Sequence, residues 1–481
     1  MATVPHLTFA VNPTTKLVTS ATDELGRSRS ATYTPQADVA SSTEGSGATA
    51  GTTTNEWGAN GGYSETKSTS PGGASSSATY GNTAAATKYL ASGGSDDAGN
   101  ASTYTYNGTG NQLTSSNALA AMATLTYNSD GTVATALAPG NGSNVTKYGY
   151  NANHQLSALT PVTGSSLGAR AYTYDDLGRT KTATDGRGIT TTYGYDLQDR
   201  LLTTSFSDGT PTVVNAYTDG GQVQTRQDAN GTSSYGYDQL GRLTSRQNSF
   251  GGGSIAYGYD KASNLVSTTD SRGTTTNSFD ASGIPTKMTY NHGSGTQVLG
   301  FTTDDRGRRT DTYLQTNSSN TIWQAHTHQD YDTSGRVSRV LAESRAGTAA
   351  AQPVMDVTYC YNTGSPAPTC ATGTAGDRSK LQWQRDNLTG QVTTYSYDGA
   401  GRLTQAAQSG GTGANTYAYT YDARGNRLTA TVTGATPSSQ TFTANAANQI
   451  SSTGYTFDGA GNLTADPSGT YAYTGAEQMK T

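Results

Sequence analysis

The sequence is poor in the residues that fill an ordinary protein core. Among 481 residues there are 7 Phe and 3 Trp, and only 32% of the chain is hydrophobic. A thick aliphatic core is excluded, because the dominant aromatic, tyrosine, needs its hydroxyl wet or paired. Charge is also scarce: 14% of residues are charged and the net charge is −5, which excludes the strongly basic surface that nucleic acid selects. No run of 18 apolar residues exists, so no helical membrane span is expected. The N-terminus, Met-Ala-Thr-Val-Pro-His, lacks a basic stretch followed by an apolar one and does not read as a signal peptide. Either export uses another route or the chain is a piece of a longer protein. Only 2 cysteines occur. Cys360 and Cys370 lack nearby partners for a zinc site and are left as a small disulfide loop or two free thiols. Glycine-rich stretches such as Gly251-Gly-Gly253 do not lead from an apolar strand into a helix, so no phosphate loop is read. No Ser-His-Asp or Cys-His arrangement emerges from spacing.

What the chain does have is tyrosine, 31 residues of it, with 59 glycines. Disordered chains combine few aromatics with high net charge, so disorder is not the reading for the repeats, although residues 36–100 are the most exposed to it. The aromatics recur in register: Tyr172-Thr-Tyr174-Asp175-Asp-Leu-Gly178-Arg179, Tyr193-Gly-Tyr195-Asp196-Leu-Gln-Asp199-Arg200, and Tyr235-Gly-Tyr237-Asp238-Gln-Leu-Gly241-Arg242. Tyr257-Gly-Tyr259-Asp260-Lys-Ala-Ser263-Asn264 and Tyr331-Asp332-Thr-Ser-Gly335-Arg336 follow, then Tyr395-Ser-Tyr397-Asp398-Gly-Ala-Gly401-Arg402. Tyr419-Thr-Tyr421-Asp422-Ala-Arg-Gly425-Asn426 and Tyr455-Thr-Phe457-Asp458-Gly-Ala-Gly461-Asn462 end the series. From Tyr174 to Phe279 the second aromatic returns every 20 to 22 residues.

Each position has a local reason. Aromatics two apart share one face of a strand. Asp followed three residues later by Gly marks a type I turn, with Asp at its first corner, where its carboxylate accepts from backbone N–H groups. The Gly position calls for a positive φ within a three-residue hairpin loop carrying a bulge. Asp199 and Asn153 are read as filling that position in two copies, since both tolerate left-handed backbone, whereas Ser263 does not fit. A second turn lies midway, at Asp185-Gly-Arg-Gly188, Asp228-Ala-Asn-Gly231 and Asp270-Ser-Arg-Gly273, each leading into a Thr-rich strand. The Arg of the repeat is expected to pair with an Asp on the neighbouring hairpin.

The expected fold is therefore all-β: a long antiparallel meander of hairpins rolled into a hollow spiral shell, or a segment of one. Some thirty strands at ~4.8 Å spacing span on the order of 140 Å. An open twisted sheet of more than about ten strands must curl or close, here around a space roughly 45 Å across. Residues 1–100 are read as an irregular segment with degenerate repeats, including Asp23-Glu-Leu-Gly26-Arg27. Residues 101–350 and 391–481 are read as repeat sheet, and 351–390 as an inserted loop with the Cys pair.

These repeats resemble the Rhs and YD-repeat proteins, a family that includes bacterial polymorphic toxins, toxin-complex C components and the teneurin YD shell. The resemblance covers residues ~101–481 and implies a spiralling β-cocoon that encloses a toxin or other cargo. It also implies a secreted or cell-surface, bacterial protein. The core-associated motif that ends the bacterial repeats is present only as an echo at Asp466-Pro467-Ser-Gly469, so Asp466 is read as a turn residue and the chain as wall without cargo.

The remaining chemistry reads as structural. Paired carboxylates open turns, and no catalytic residue or cofactor is expected. His326, His328 and Asp330 alternate on one strand, but three such positions span ~13 Å, so they are read as a polar strand face rather than a metal site. The expected role is a shell or scaffold, not an enzyme. The alternative is an extracellular adhesin whose tyrosine faces bind glycans or a receptor.

Overall fold

The computed structural model describes residues 6–58, 64–249, 251, 253–345, 349–370, 376–411 and 413–480. The stretch read for an export signal lies largely outside them, as do Gly252 and Thr481. Among the described residues there are forty strands and one short 3-10 turn. Among them no helix is long and apolar enough to cross a membrane.

Thirty-seven strands form one sheet, and each pairs antiparallel with the next in sequence, from the first hairpin to the last. The N-terminal hundred, expected to be irregular, are part of this ladder: eight strands from Thr8 to Ser95 pair in order. Their Thr and Ser runs form strands despite weak tyrosine spacing, because neighbouring hairpins supply the backbone partners. Residues 351–390 are not a separate insertion either. Gln352–Cys360 and Trp383–Asp386 are ladder strands paired to each other, and only the excursion between them leaves the sheet.

Among the described residues the sheet does not close strand to strand; it laps. The turn after the second strand lies against the turn after the twenty-fifth, where Arg27 Nη1 is 3.4 Å from Asp280 Oδ2. Likewise the turn after the twelfth strand meets the turn after the thirty-fifth, through Arg424 and Asn141. One coil thus takes about 23 strands, or ~110 Å of arc and ~35 Å across at ~4.8 Å per strand. This is narrower than the roughly 45 Å expected when every strand was laid on one circle.

A single wall leaves both faces wet. A compact monomer of 49.7 kDa exposes about 17,000 Å², whereas this chain exposes 26065 Å². Few large apolar side chains are buried, among them Phe301, Trp323, Trp383 and Val392. Order must therefore come from the backbone ladder and from contacts that recur at every turn.

Candidate functional site

The repeat is built outward from its aspartate. Asp175 N–H donates to the Arg179 carbonyl at 2.9 Å and accepts at its own carbonyl from Gly178 N–H at 2.9 Å, closing a three-residue loop. Asp175 Oδ1 accepts from the N–H groups of Leu177 (3.0 Å) and Arg179 (2.9 Å). Gly178 has φ +81, and the ladder slips by one residue at Tyr174, which is the expected bulge. Asp196, Asp238, Asp332 and Asp398 repeat the arrangement, as do Asp260, Asp422 and Asp458 with Asn in place of the following Arg. The left-handed position belongs to Asp199 in one copy and to His154, not Asn153, in another. Histidine shares the tolerance for that region. Ser263 also takes it, at φ 68, and its hydroxyl oxygen accepts from Arg242 at 3.2 Å. The midway turns are of two kinds: Asp185 opens a three-residue loop, but Asp228 and Asp270 pair directly with Gly231 and Gly273 across two-residue loops.

The arginines depart from expectation. Arg179 Nε donates to Asp175 Oδ2 of its own turn at 2.7 Å. It then reaches forward to the next turn, where Nη1 donates to the Asp196 carbonyl at 3.2 Å and the guanidinium lies 4.6 Å from the Tyr195 ring centre. Arg200 over Tyr217, Arg242 over Tyr259, Arg336 over Tyr361 and Arg402 over Tyr421 repeat this at 4.1–4.8 Å. A planar fork can pair with a carboxylate and stack at once, which local spacing does not reveal. Asp199, 2.6 Å from Arg179 Nη1, and Asp377, 2.7 Å from Arg336 Nη2, are exceptions that match the expectation.

The second tyrosine closes the gap between hairpins. Thr180–Thr184 pairs with the following strand only through Thr182 to Thr184, so the Thr180 carbonyl lacks a ladder partner on that side. Tyr195 donates to it. Tyr174, Tyr237, Tyr397 and Tyr421 donate in the same way to Leu156, Val223, Leu381 and Leu403, at 2.7–2.8 Å. Where Phe279 lacks a hydroxyl, Asn277 Nδ2 donates to the Leu265 carbonyl at 2.9 Å. The first tyrosines, Tyr172, Tyr193, Tyr235, Tyr257, Tyr395 and Tyr419, stand half-buried two residues earlier on their strands, and Tyr455 precedes the short strand Thr456–Phe457.

The seam joins one turn type to the other. Midway turns of the first coil, from Asp23 to Thr210, meet tyrosine-side turns of the second coil, from Asp280 to Gly475. Asp305 accepts from Ser46 N–H at 2.9 Å and from the Thr49 hydroxyl at 2.5 Å. Ser166 and Gln449 bond at 2.9 Å, and Gly168 N–H donates to the Gly459 carbonyl at 2.9 Å. Gly186 and Gly459 come so close that a Cβ on either would strike the other's carbonyl. Beyond the lap, tyrosine-side turns expose Leu177, Leu197 and Leu240 at 73%, 97% and 73%.

The excursion after Cys360 serves this seam. Cys360 and Cys370 are joined by a disulfide, Thr358 donates to the Pro368 carbonyl at 2.6 Å, and Trp383 Nε1 donates to the Gly364 carbonyl at 3.0 Å. The returning chain presents Asp377, which accepts from Ala74 N–H at 3.0 Å and Arg336 at 2.7 Å, and Ser379, which donates to Asp97 at 2.5 Å.

Histidines gather on one part of the wall. His326 Nε2 and His328 Nδ1 both face Asp311 Oδ1, at 2.9 and 2.7 Å. Asp330 touches only the far nitrogen of His328, at 3.1 Å. Burial opposes ionisation of Asp311, but Thr302, His328, His326 and Thr310 outweigh it and hold the carboxyl well below its usual range. Burial pulls His328 down, yet its bonds to Asp311 and Asp330 raise it overall. Asp311 lies on the strand before the histidines, where alternation within one strand cannot find it.

A profile of the teneurin YD-shell family matches residues 135–308, and one of the RHS repeat matches residues 382–413. No curated protein sequence matches the chain. Among solved structures, the Photorhabdus luminescens Tc holotoxin pore superposes with TM-score 0.74 at 12% identity, over 99% of this chain and 27% of that one. A crystal structure of TcdB2-TccC3-TEV gives TM-score 0.70 at 13% identity, over 99% and 27%, and one of TcdB2-TccC3 gives 0.69 at 13%, over 99% and 28%. The chain spans about a quarter of the chains it matches, and at such identity the likeness is one of fold. By its tyrosine–aspartate repeats and the two profile matches the chain is similar to the teneurin YD-shell and RHS-repeat families over residues 135–308 and 382–413, and it shares the fold of these solved structures.

Proposed function

We propose that the chain is the wall of a shell that encloses or protects a cargo polypeptide, acting as a scaffold rather than an enzyme, and outside the cell that makes it. The observation that carries this reading is the lapped seam. Side chains and backbone from Asp23 to Thr210 bond to residues 253–305 positions later, which turns a ribbon into a wall around a space. Repeated residues make shape, and the interior is too wide for side chains to fill. The aspartates spend their oxygens on turn N–H groups and arginines, which is why they are read as architecture.

The test is protection. An unstructured polypeptide fused after Thr481 should be cut by protease at least tenfold more slowly than the same polypeptide free, and the protection should vanish when the seam is opened. Equal cutting of fused and free polypeptide would overturn the reading.

A further inference from the structure

We propose that Asp311, His326 and His328 form a site for a divalent transition-metal ion of the zinc class, which staples two adjacent strands of the wall. The ligand atoms lie within 4.8 Å of one another. They come from Arg309–Leu314 and Ala325–Tyr331, strands paired with Asp311 opposite His328.

The hydrogen-bond pattern is that of three ligands already aimed at one point. His326 turns Nε2 to Asp311 while its Nδ1 lies 3.1 Å from Glu343 Oε2. His328 turns Nδ1 to Asp311 while its Nε2 lies 3.1 Å from Asp330 Oδ1. Asp311 directs Oδ1 to both rings and gives Oδ2 to the hydroxyls of Thr302 and Thr310. Every inner group thus has an outer partner on its far atom, as histidines and carboxylates that bind metal have. A neutral imidazole between two carboxylates can donate to only one of them, and its lone pair faces the other. Two rings in that position leave two lone pairs facing carboxylates, and with the tautomers that turn them to Asp311 a cation at the point of convergence converts both repulsions into bonds.

Charge and surroundings agree. Asp311, Glu343 and Asp330 supply three negative charges, while Arg339, opposite Asp330 on the next strand, is held by both oxygens of Asp356 at 2.8 Å. Tyr313 stacks on His326 at 4.5 Å, and Trp323, 7% exposed, lies 5.1 Å from it. Imidazole with one carboxylate suits zinc-class ions better than calcium or magnesium. Ligands held at ~2.0–2.1 Å by a four-coordinate zinc stand about 3.3 Å apart, between the present 2.7–2.9 Å hydrogen bonds and the 4.8 Å within which the three atoms lie, so uptake rotates the rings. Three protein ligands leave a fourth position for water.

Tag-free protein cleared of metal with a chelator is titrated with zinc chloride by calorimetry, and with cobalt(II) by absorption. The expected result is one ion per chain, with the strong visible bands of four-coordinate cobalt. His328→Ala should weaken binding at least 100-fold, and Asp330→Asn roughly 10–100-fold, with both variants retaining the strand spectrum in circular dichroism. No uptake of zinc, a six-coordinate cobalt spectrum, or equal binding by His328→Ala would each overturn the proposal. Asp311→Asn serves as the second variant should His328→Ala fail to fold.

Discussion

Tyr195 donates its hydroxyl to the carbonyl of Thr180 at 2.9 Å, across a gap the backbone ladder leaves open between two hairpins. That bond explains why the repeat holds tyrosine and so little phenylalanine at its second aromatic position. It also explains how a sheet with little core keeps neighbouring hairpins in register.

A copy with phenylalanine, that of Phe279, tests this. Asn277→Ala should destabilise the protein by about 0.5–1.5 kcal/mol, because the Leu265 carbonyl loses its donor. Adding Phe279→Tyr should restore most of the loss, since the new hydroxyl takes Asn277's place. Chemical denaturation of the single and double variants reads this directly, and no rescue by tyrosine would sink the account.

The arginine stack carries its own energy. A double-mutant cycle between Arg402 and Tyr421, 4.7 Å apart, should give a coupling of about 0.5–1 kcal/mol. Arg402→Lys should lose much of it, because an ammonium cannot pair with Asp398 and stack at once. A coupling indistinguishable from zero would show that the stack is incidental.

Acid should loosen the turns. Asp175 is held below its usual range chiefly by the Arg179 side chain, Asp238 chiefly by the Arg242 N–H, and Asp260 chiefly by the Asn264 side chain. A carboxyl depressed in the folded state stabilises it above the unfolded value, near 4. That stabilisation is lost as pH falls through the folded value. Tm should therefore change little between about pH 7 and 5 and drop steeply below about pH 4, with several protons taken up on unfolding. Equal Tm at pH 3 and pH 6 would contradict it.

The fold was legible where its causes are local. Asp175, Gly178 and Tyr174 declare a turn, a bulge and a strand within eight residues. His154 was misplaced by one position because Asn153 beside it also tolerates left-handed backbone. What the sequence could not show depends on residues far apart: Gly186 meets Gly459, and Asp311 meets His328, only because the sheet coils and pairs. The span of the coil was overestimated for the same reason, since lapping needs turn-to-turn contacts that no single repeat encodes.

The seam has a specific weak point. Gly459→Ala should destabilise the protein by about 1–3 kcal/mol, because the added methyl group has no room against Gly186. Hydrogen exchange should accelerate in 161–189 and 445–478 while the strands around Tyr237 stay protected. Uniform exchange unaffected by the substitution would mean the coils do not depend on that contact.

The central claim is that one sheet laps on itself to make a hollow wall, and electron microscopy of the isolated chain tests it most directly. The account predicts a ring-shaped projection ~35 Å across between sheet mid-planes, with a low-density centre and two stacked coils along the strands. A flat ribbon, or a solid particle with no central void, would contradict it.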